Sequence, residues 1–119
     1  MADTAQIRGY HAHVYYRDSA ERDVAAKLRD DIEASFEVRL GRWREEPVGP
    51  HPLAMYQIAF AADQFSKIVP WLMLNRNGLT ILVHPETGDD VIDHRDSPLW
   101  LGERLDLNIA FLEAGNTSA

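Results

Sequence analysis

Five histidines, His11, His13, His51, His84 and His94, are the side chains of this sequence best suited to chemistry. Imidazole offers a nitrogen lone pair when neutral and is a common protein ligand for Fe(II), Zn(II) and similar ions. His11 and His13 stand two apart in Tyr10-His-Ala-His-Val-Tyr-Tyr16, so in an extended segment their rings lie side by side on one face. His51 sits in Pro47-Val-Gly-Pro-His-Pro52, where three prolines and a glycine lower the entropy cost of holding it in place. His84 follows the apolar run Leu79 to Val83, and His94 lies in Asp93-His-Arg95. If these segments meet, they aim imidazoles at one surface and make a metal site. The plain alternative is a set of strand histidines that fill half-exposed positions and hydrogen-bond to neighbours. His94 is open to two readings, a general acid–base group or an exposed residue of no consequence.

Other residues fit around such a site. Arg42, Arg76 and Arg95 are candidates to pair with a substrate carboxylate, or are ordinary surface residues. Trp100 follows a polar stretch and could cover an open sheet face, whereas Trp71 reads as core. With no cysteine in the chain, disulfides, thiolate metal sites and cysteine nucleophiles are excluded. Any metal must use imidazole nitrogen or carboxylate oxygen. No phosphate loop, nucleophile triad or dinucleotide fingerprint is present.

The elements that must position these groups follow from periodicity. Tyr10 to Tyr16 predicts a strand, with Ala12 and Val14 on one face and His11, His13 and Tyr15 on the other. Asp18 and Glu21 form a capping-box pattern ahead of a helix whose stripe is Val24, Leu28 and Ile32, with Ala25 beside them. Phe36 to Leu40 predicts a short second strand, Arg42 to Pro52 a loop, and Leu53 to Phe60 a third strand. Asp63 is placed to cap a second helix carrying Phe65, Ile68, Val69, Leu72 and Met73, bent or split at Pro70 and stopped at Asn77-Gly78. Leu79 to Val83 predicts a fourth strand and Glu86 to Leu99 a loop. Leu105, Leu107, Ile109 and Phe111 alternate with polar or small residues and favour a fifth strand, although Leu101, Leu105, Ile109 and Leu112 also fit a helix. The first six residues and Gly115 to Ala119 read as frayed ends. The order β-α-β-β-α-β predicts one α+β domain over residues 1–119, a ferredoxin-like split βαβ sandwich with a C-terminal extension. Both helices then cover one sheet face. The open face must be filled by a partner subunit, by the tail or by a ligand. With Met55 and Leu82 on it, a homodimer is expected.

Composition narrows the partners. Twelve Lys and Arg against 19 Asp and Glu leave a formal charge of −7, which repels phosphate backbones and gives no basic face for anionic lipid. The longest purely apolar run, Ile68 to Leu74, is seven residues, far below the roughly 20 that cross a bilayer. Neither nucleic acid nor membrane is an expected partner. The first residues lack the apolar core of a signal peptide, so the expected location is cytoplasmic.

Several pieces together resemble the DOPA 4,5-dioxygenase family. They are Tyr10-His-Ala-His-Val-Tyr15, Gly49-Pro-His-Pro52, Trp71-Leu-Met-Leu-Asn-Arg76, Leu82-Val-His-Pro-Glu-Thr-Gly-Asp89, Asp93-His94 and Trp100-Leu-Gly102, and they span about Tyr10 to Leu112. The resemblance implies a small ferredoxin-like extradiol dioxygenase that uses non-haem Fe(II), binds a catechol and O₂, and splits the ring beside its hydroxyls. Zinc or nickel could replace the iron on purification. It also implies that His11, His13, His51 and His84 occupy the family's histidine positions. The preferred ligand set is His13, His51 and His84, with His11 as fourth ligand or base and His94 as a further catalytic candidate. Arg76, Arg95 and Trp100 are then candidates for the substrate side, and Glu86, Asp89 and Glu103 are the carboxylates near enough in sequence to join the site. Two rivals remain: a dimeric, non-enzymatic binding module whose histidines are structural, and a zinc hydrolase.

Overall fold

The computed structural model of the chain describes residues 1–117. Five strands, β1 (Gly9–Tyr16), β2 (Arg39–Leu40), β3 (Ala54–Phe60), β4 (Ile81–Glu86) and β5 (Leu99–Leu101), form one antiparallel sheet in the order β2-β3-β1-β4-β5. Four helices accompany it: α1 (Ser19–Ser35), α2 (Phe65–Asn75), α3 (Asp90–Arg95) and α4 (Ile109–Thr117). The first four strands and two helices make the expected ferredoxin-like α+β fold.

The central strand explains the layering. Alternation sends Tyr10, Ala12, Val14 and Tyr16 toward α1 and α2, where they join Leu28, Ile32, Ile58, Ile68 and Leu72 in the main core. Each fully buried Leu or Ile there contributes about 1.5–3 kcal/mol. The α1 start is built as the sequence predicts. The Asp18 side chain accepts the Glu21 N–H at 2.8 Å, while the Glu21 carboxylate reaches back to the Arg17 N–H at 2.8 Å. The buried Tyr56 hydroxyl donates to the Ala25 carbonyl at 2.7 Å and ties β3 to α1.

His11, His13 and Tyr15 face the other way. There Tyr15, Met55 and Leu82 form a second apolar cluster beneath Leu53, Trp100, Leu105 and Leu107. Of the three possible fillings of this face, the structure shows the chain's own tail, through Leu105 and Leu107, over Tyr15, Met55 and Leu82.

The tail is also where the structure departs from the periodicity. The fifth strand is Leu99–Leu101, paired with Ile81–Val83 of β4, and not the alternating segment Leu105 to Phe111. That segment instead runs irregularly through Leu105 and Leu107, which plug the second cluster, and then enters α4. The Asn108 side chain accepts the Phe111 N–H at 3.3 Å, a capping bond that starts a helix where alternation suggests strand. The loop expected from Glu86 to Leu99 contains α3, a helix of six residues capped by Asp89 on the Ile92 N–H. Its brevity and polarity hid it. The fourth strand begins two residues later than expected and runs through Pro85, because β5 reaches only to Val83 and leaves Pro85 an open edge.

Smaller differences concern the helix ends. Asp63 lies within a 3₁₀ turn, Ala62–Gln64, and makes no capping bond to α2. The helix α2 is unbroken at Pro70. Only Arg39–Leu40 of the expected second strand pairs, since Phe36 still closes α1 through a bond from its N–H to the Ile32 carbonyl. Thr4–Gln6 is a short exposed 3₁₀ turn, and the expected frayed end is helical as far as Thr117, with Ser118 and Ala119 outside the described residues. Among the described residues, no helix is long and apolar enough to cross a membrane.

Candidate metal centre

Strand register brings the histidines together. His11 lies directly opposite His84 across β1 and β4, and opposite Ala59 across β1 and β3. His13 pairs with Leu82 on one side and Gln57 on the other, so His13 and His84 are diagonal neighbours on one face. Their Nε2 atoms are 3.0 Å apart.

Two further segments reach this face. The loop before β3 delivers His51, whose ring centroid is 4.1 Å from that of His13. A turn bond from the His51 N–H to the Val48 carbonyl shapes the loop, and the Asn108 N–H binds the Pro50 carbonyl at 2.8 Å, strapping the tail to it. Gly49 has a φ of +60°, and a Cβ there would meet the Phe111 ring at 3.6 Å. The helix α3 delivers His94, with its ring centroid 3.9 Å from that of His84. Asp93, fully buried, holds α3 against the end of β4 by accepting the Thr87 N–H at 2.9 Å and the Thr87 hydroxyl at 2.6 Å.

His13, His51, His84 and His94 are buried and His11 is half-buried. Among the described residues, the histidine ligand atoms form two mutually close groups, His11–His13–His84 and His13–His51–His94. His13 belongs to both. The sequence-based set of His13, His51 and His84 is thus divided between the two groups, and His94, expected in a polar loop, is inside the cluster.

Hydrogen bonds fix which nitrogens are free. A carbonyl only accepts, so His84 donates from Nδ1 to the Pro85 carbonyl at 2.9 Å and His94 donates from Nδ1 to the Asp90 carbonyl at 2.7 Å. A neutral ring so bonded keeps its lone pair on Nε2. His51 Nδ1 is 2.7 Å from the buried Tyr15 hydroxyl, which can accept its hydrogen likewise. Imidazoles that bind metal are oriented in this way, through the nitrogen that faces away from the ion. His13 Nδ1 is buried without a partner.

Burial and crowding disfavour the charged form of His11, His13, His51 and His84. Burial, with the His94 ring beside it, pushes His84 down to about 3 and His51 to about 4. Burial holds His13 well below its ordinary value, and the neighbouring His51, His84 and His94 add to this. His11 is lowered by burial, then by His94 and Arg39. Beside it, Glu86 approaches His11 Nδ1 at 3.0 Å, and burial with nearby Asp90 and Asp93 raises its carboxyl to about 7.

These observations test whether the residues suit the metal implied by the resemblance, and they do. Neutral imidazoles, free Nε2 lone pairs and an orphaned buried nitrogen make a donor set for a divalent transition metal. The 3.0 Å spacing of the His13 and His84 Nε2 atoms matches the separation of about 3 Å between adjacent nitrogens on one ion at metal–nitrogen distances of roughly 2.0–2.1 Å.

The remaining candidates are placed as follows. Trp100 stacks on Tyr15 with centroids 6.2 Å apart and lines a small cleft with His94 and Arg95. Arg95 is paired with Asp96 at 2.8 Å. Arg76 is not brought to the cluster: its guanidinium donates to the Leu79 carbonyl at 2.8 Å, beside Gly102, at the end of α2. Glu103 pairs with Arg17 and Asp89 caps α3, so Glu86 is the sequence-suggested carboxylate that stands at the histidines. Tyr15, which contacts His51, is not among the candidates that residue type alone suggests. Its place in the same alternating face as His11 and His13 is the signal that could have found it.

Comparison with known proteins agrees with this site. The Dopa 4,5-dioxygenase family model matches residues 10–111, which hold all five histidines. The chain belongs to this family. Relatives of this dioxygenase family member include a DOPA 4,5-dioxygenase of Amanita muscaria, 34% identical over 116 residues, covering 91% of this chain and 51% of the relative. An uncharacterized 21.2 kDa protein of Botryotinia fuckeliana is 36% identical over 119 residues, covering 90% of this chain and 65% of the relative. The chain thus spans about half to two thirds of the length of these curated relatives. A crystal structure described as that of a candidate dioxygenase from Nostoc punctiforme is 61% identical, superposes with a TM-score of 0.93, and covers 96% of this chain and 98% of its own.

Proposed function

We propose that this member of the Dopa 4,5-dioxygenase family is an extradiol dioxygenase that opens the ring of a catechol such as DOPA or a related dihydroxyphenyl compound, using Fe(II). The observation that carries this reading is the convergence of four buried imidazoles, with His13 shared by both close groups of ligand nitrogens, in a chain matched by that family over residues 10–111.

His13, His51, His84 and His94 would hold the ion. His94 joins the holding set because it is buried among these rings and its Nδ1 is already engaged by Asp90. When bound, ferrous iron supplies a Lewis acid that lowers the pKa of a catechol hydroxyl and a centre at which catechol and dioxygen are held together. The protein supplies the rest. Tyr15, Pro85 and Asp90 hold the rings in orientation from behind. The apolar cluster of Tyr15, Met55 and Leu82, with Trp100 over it, keeps water from one side of the site. His11 is the base: half-buried at the open edge, its Nδ1 faces Glu86, which leaves Nε2 to accept a catechol proton and later return it.

The test is anaerobic loading of the metal-free protein with Fe(II), followed by addition of caffeate or DOPA and air. Yellow ring-opened product with stoichiometric O₂ uptake is expected. Iron binding without turnover of any compound in a catechol panel would overturn the reading. A chain that retains no metal when purified without a His tag would favour the binding module instead.

A further inference from the structure

A cleft of about 190 Å³ opens beside His51, and its walls are chemically divided. Met55 and Val48 are apolar, His51 stands at the end nearest the metal-holding group, and Arg42, Arg44 and Gln57 are polar. The strand pattern explains this lining. Arg44 bridges directly to Met55, so both belong to the histidine face. Gly41 has no side chain, and a Cβ there would come within 3.3 Å of the Gln57 Cβ, so the sheet edge is left open between the arginines and the floor. From His13 across Gln57 to this edge is two strand spacings, roughly 10 Å. The volume is below the roughly 300–1,000 Å³ of drug-sized pockets and suits one ring with a short side chain.

The cleft is lined by positive charge alone in an acidic chain. In a protein with 19 Asp and Glu against 12 Lys and Arg, Arg17 pairs with Glu103, Arg22 with Glu45 and Arg95 with Asp96. Arg42 and Arg44 form no ion pair among the described residues, and no acidic residue lines the cleft. Another opening, beside His11, is mixed, with Glu37 and Glu86 alongside Arg8 and Arg39.

The geometry points to Arg42 and Arg44 as the groups that select an aromatic substrate carrying a carboxylate on a short side chain, its ring toward His51 and its carboxylate on the two guanidinium forks. This assignment rests on the ring-cleavage reading for the identity of the ring, but not for the carboxylate site. Planar forks match a carboxylate with paired hydrogen bonds, and they reject a neutral or cationic side chain of the same shape. Of the three arginines singled out from the sequence, only Arg42 is both unpaired and beside a buried histidine.

Binding can be read without turnover. We would titrate 4-hydroxycinnamate, which is not a catechol, and its primary amide into the full chain loaded anaerobically with Fe(II), by calorimetry. The acid is expected to bind about ten- to a hundredfold tighter than the amide. In the Arg42→Gln/Arg44→Gln double variant this preference should fall to near unity. An unchanged thermal midpoint would show that the fold persists. If the double variant does not fold, the single variants carry the test, each expected to lose part of the preference. Equal affinity for acid and amide in the wild type, or a preference retained in folded variants, would overturn the assignment. Acid preference without cleavage of any catechol would sink the ring-cleavage reading alone, and cleavage without acid preference would sink the carboxylate site alone.

Discussion

The Nε2 atoms of His13 and His84 stand 3.0 Å apart although 71 positions separate the two residues in the chain. One comes from the central strand and the other from its neighbour, and each buried ring turns its Nε2 toward the other. Two neutral imidazoles so placed share at most one hydrogen, and His84 already spends its own on Pro85. Under the proposed function this pair seats the ion.

Removing His13 should remove the metal. His13→Ala is expected to lose Fe(II) on dialysis, with iron content falling by tenfold or more by elemental analysis, while circular dichroism stays that of the wild type. His11→Ala is expected to keep its iron and lose turnover, because His11 lies at the open edge with Glu86 and not in the buried set. A His13→Ala protein that retains stoichiometric iron would contradict the assigned centre.

Tyr15 touches no ion in this scheme but orients His51 through a 2.7 Å contact. Tyr15→Phe should weaken metal affinity about 10–100-fold, as loss of such supporting bonds does elsewhere. Competition with a chelator measures this. Since the phenyl ring still packs on Met55 and Leu82, the unfolding midpoint should move little by comparison.

Asp93 anchors α3, and with it His94, through two bonds to Thr87. Asp93→Ala leaves the Thr87 N–H and hydroxyl without their partner in a half-buried place. A loss of about 2–4 kcal/mol in urea unfolding is expected. Metal retention should drop as well. A variant as stable as the wild type would show that α3 is held by other contacts.

The metal-free chain should be labile to acid. His51 and His84 titrate near 4 and 3 when folded, against 6.5 in the unfolded chain, and His13 is lowered too. The unfolded state therefore binds more protons below about pH 6.5. The stability these groups contribute is complete above that pH and is lost as the pH falls through 6.5 toward 4 and 3. Glu86, raised to about 7, works in the opposite sense between 7 and 4.5, but it is one partly exposed group against three buried ones. Urea midpoints of the metal-free protein should fall from pH 8 to pH 5. A flat profile would mean that the rings are not held neutral.

Periodicity alone determined the frame of this protein. Ala12 and Val14 alternate with His11 and His13, so one strand necessarily shows carbon to the helices and imidazole to the far face. Asp18 and Glu21 mark where α1 starts because capping is a local bond between near neighbours. The β-α-β-β-α-β order then leaves few topologies, and these put the strand histidines on one surface. What lay beyond the sequence was everything set by contacts distant in the chain. Leu105 to Phe111 favours a strand by pattern while also fitting a helix, and the choice fell to a cap at Asn108 and to an apolar cluster that Leu105 and Leu107 fill. His94 sits among polar residues, so nothing local says that it is buried; Asp93 and Thr87 pull it in. Which imidazoles are mutually close depends on register and ring rotation, quantities that a one-residue slip would change completely. Only the folded chain decides them.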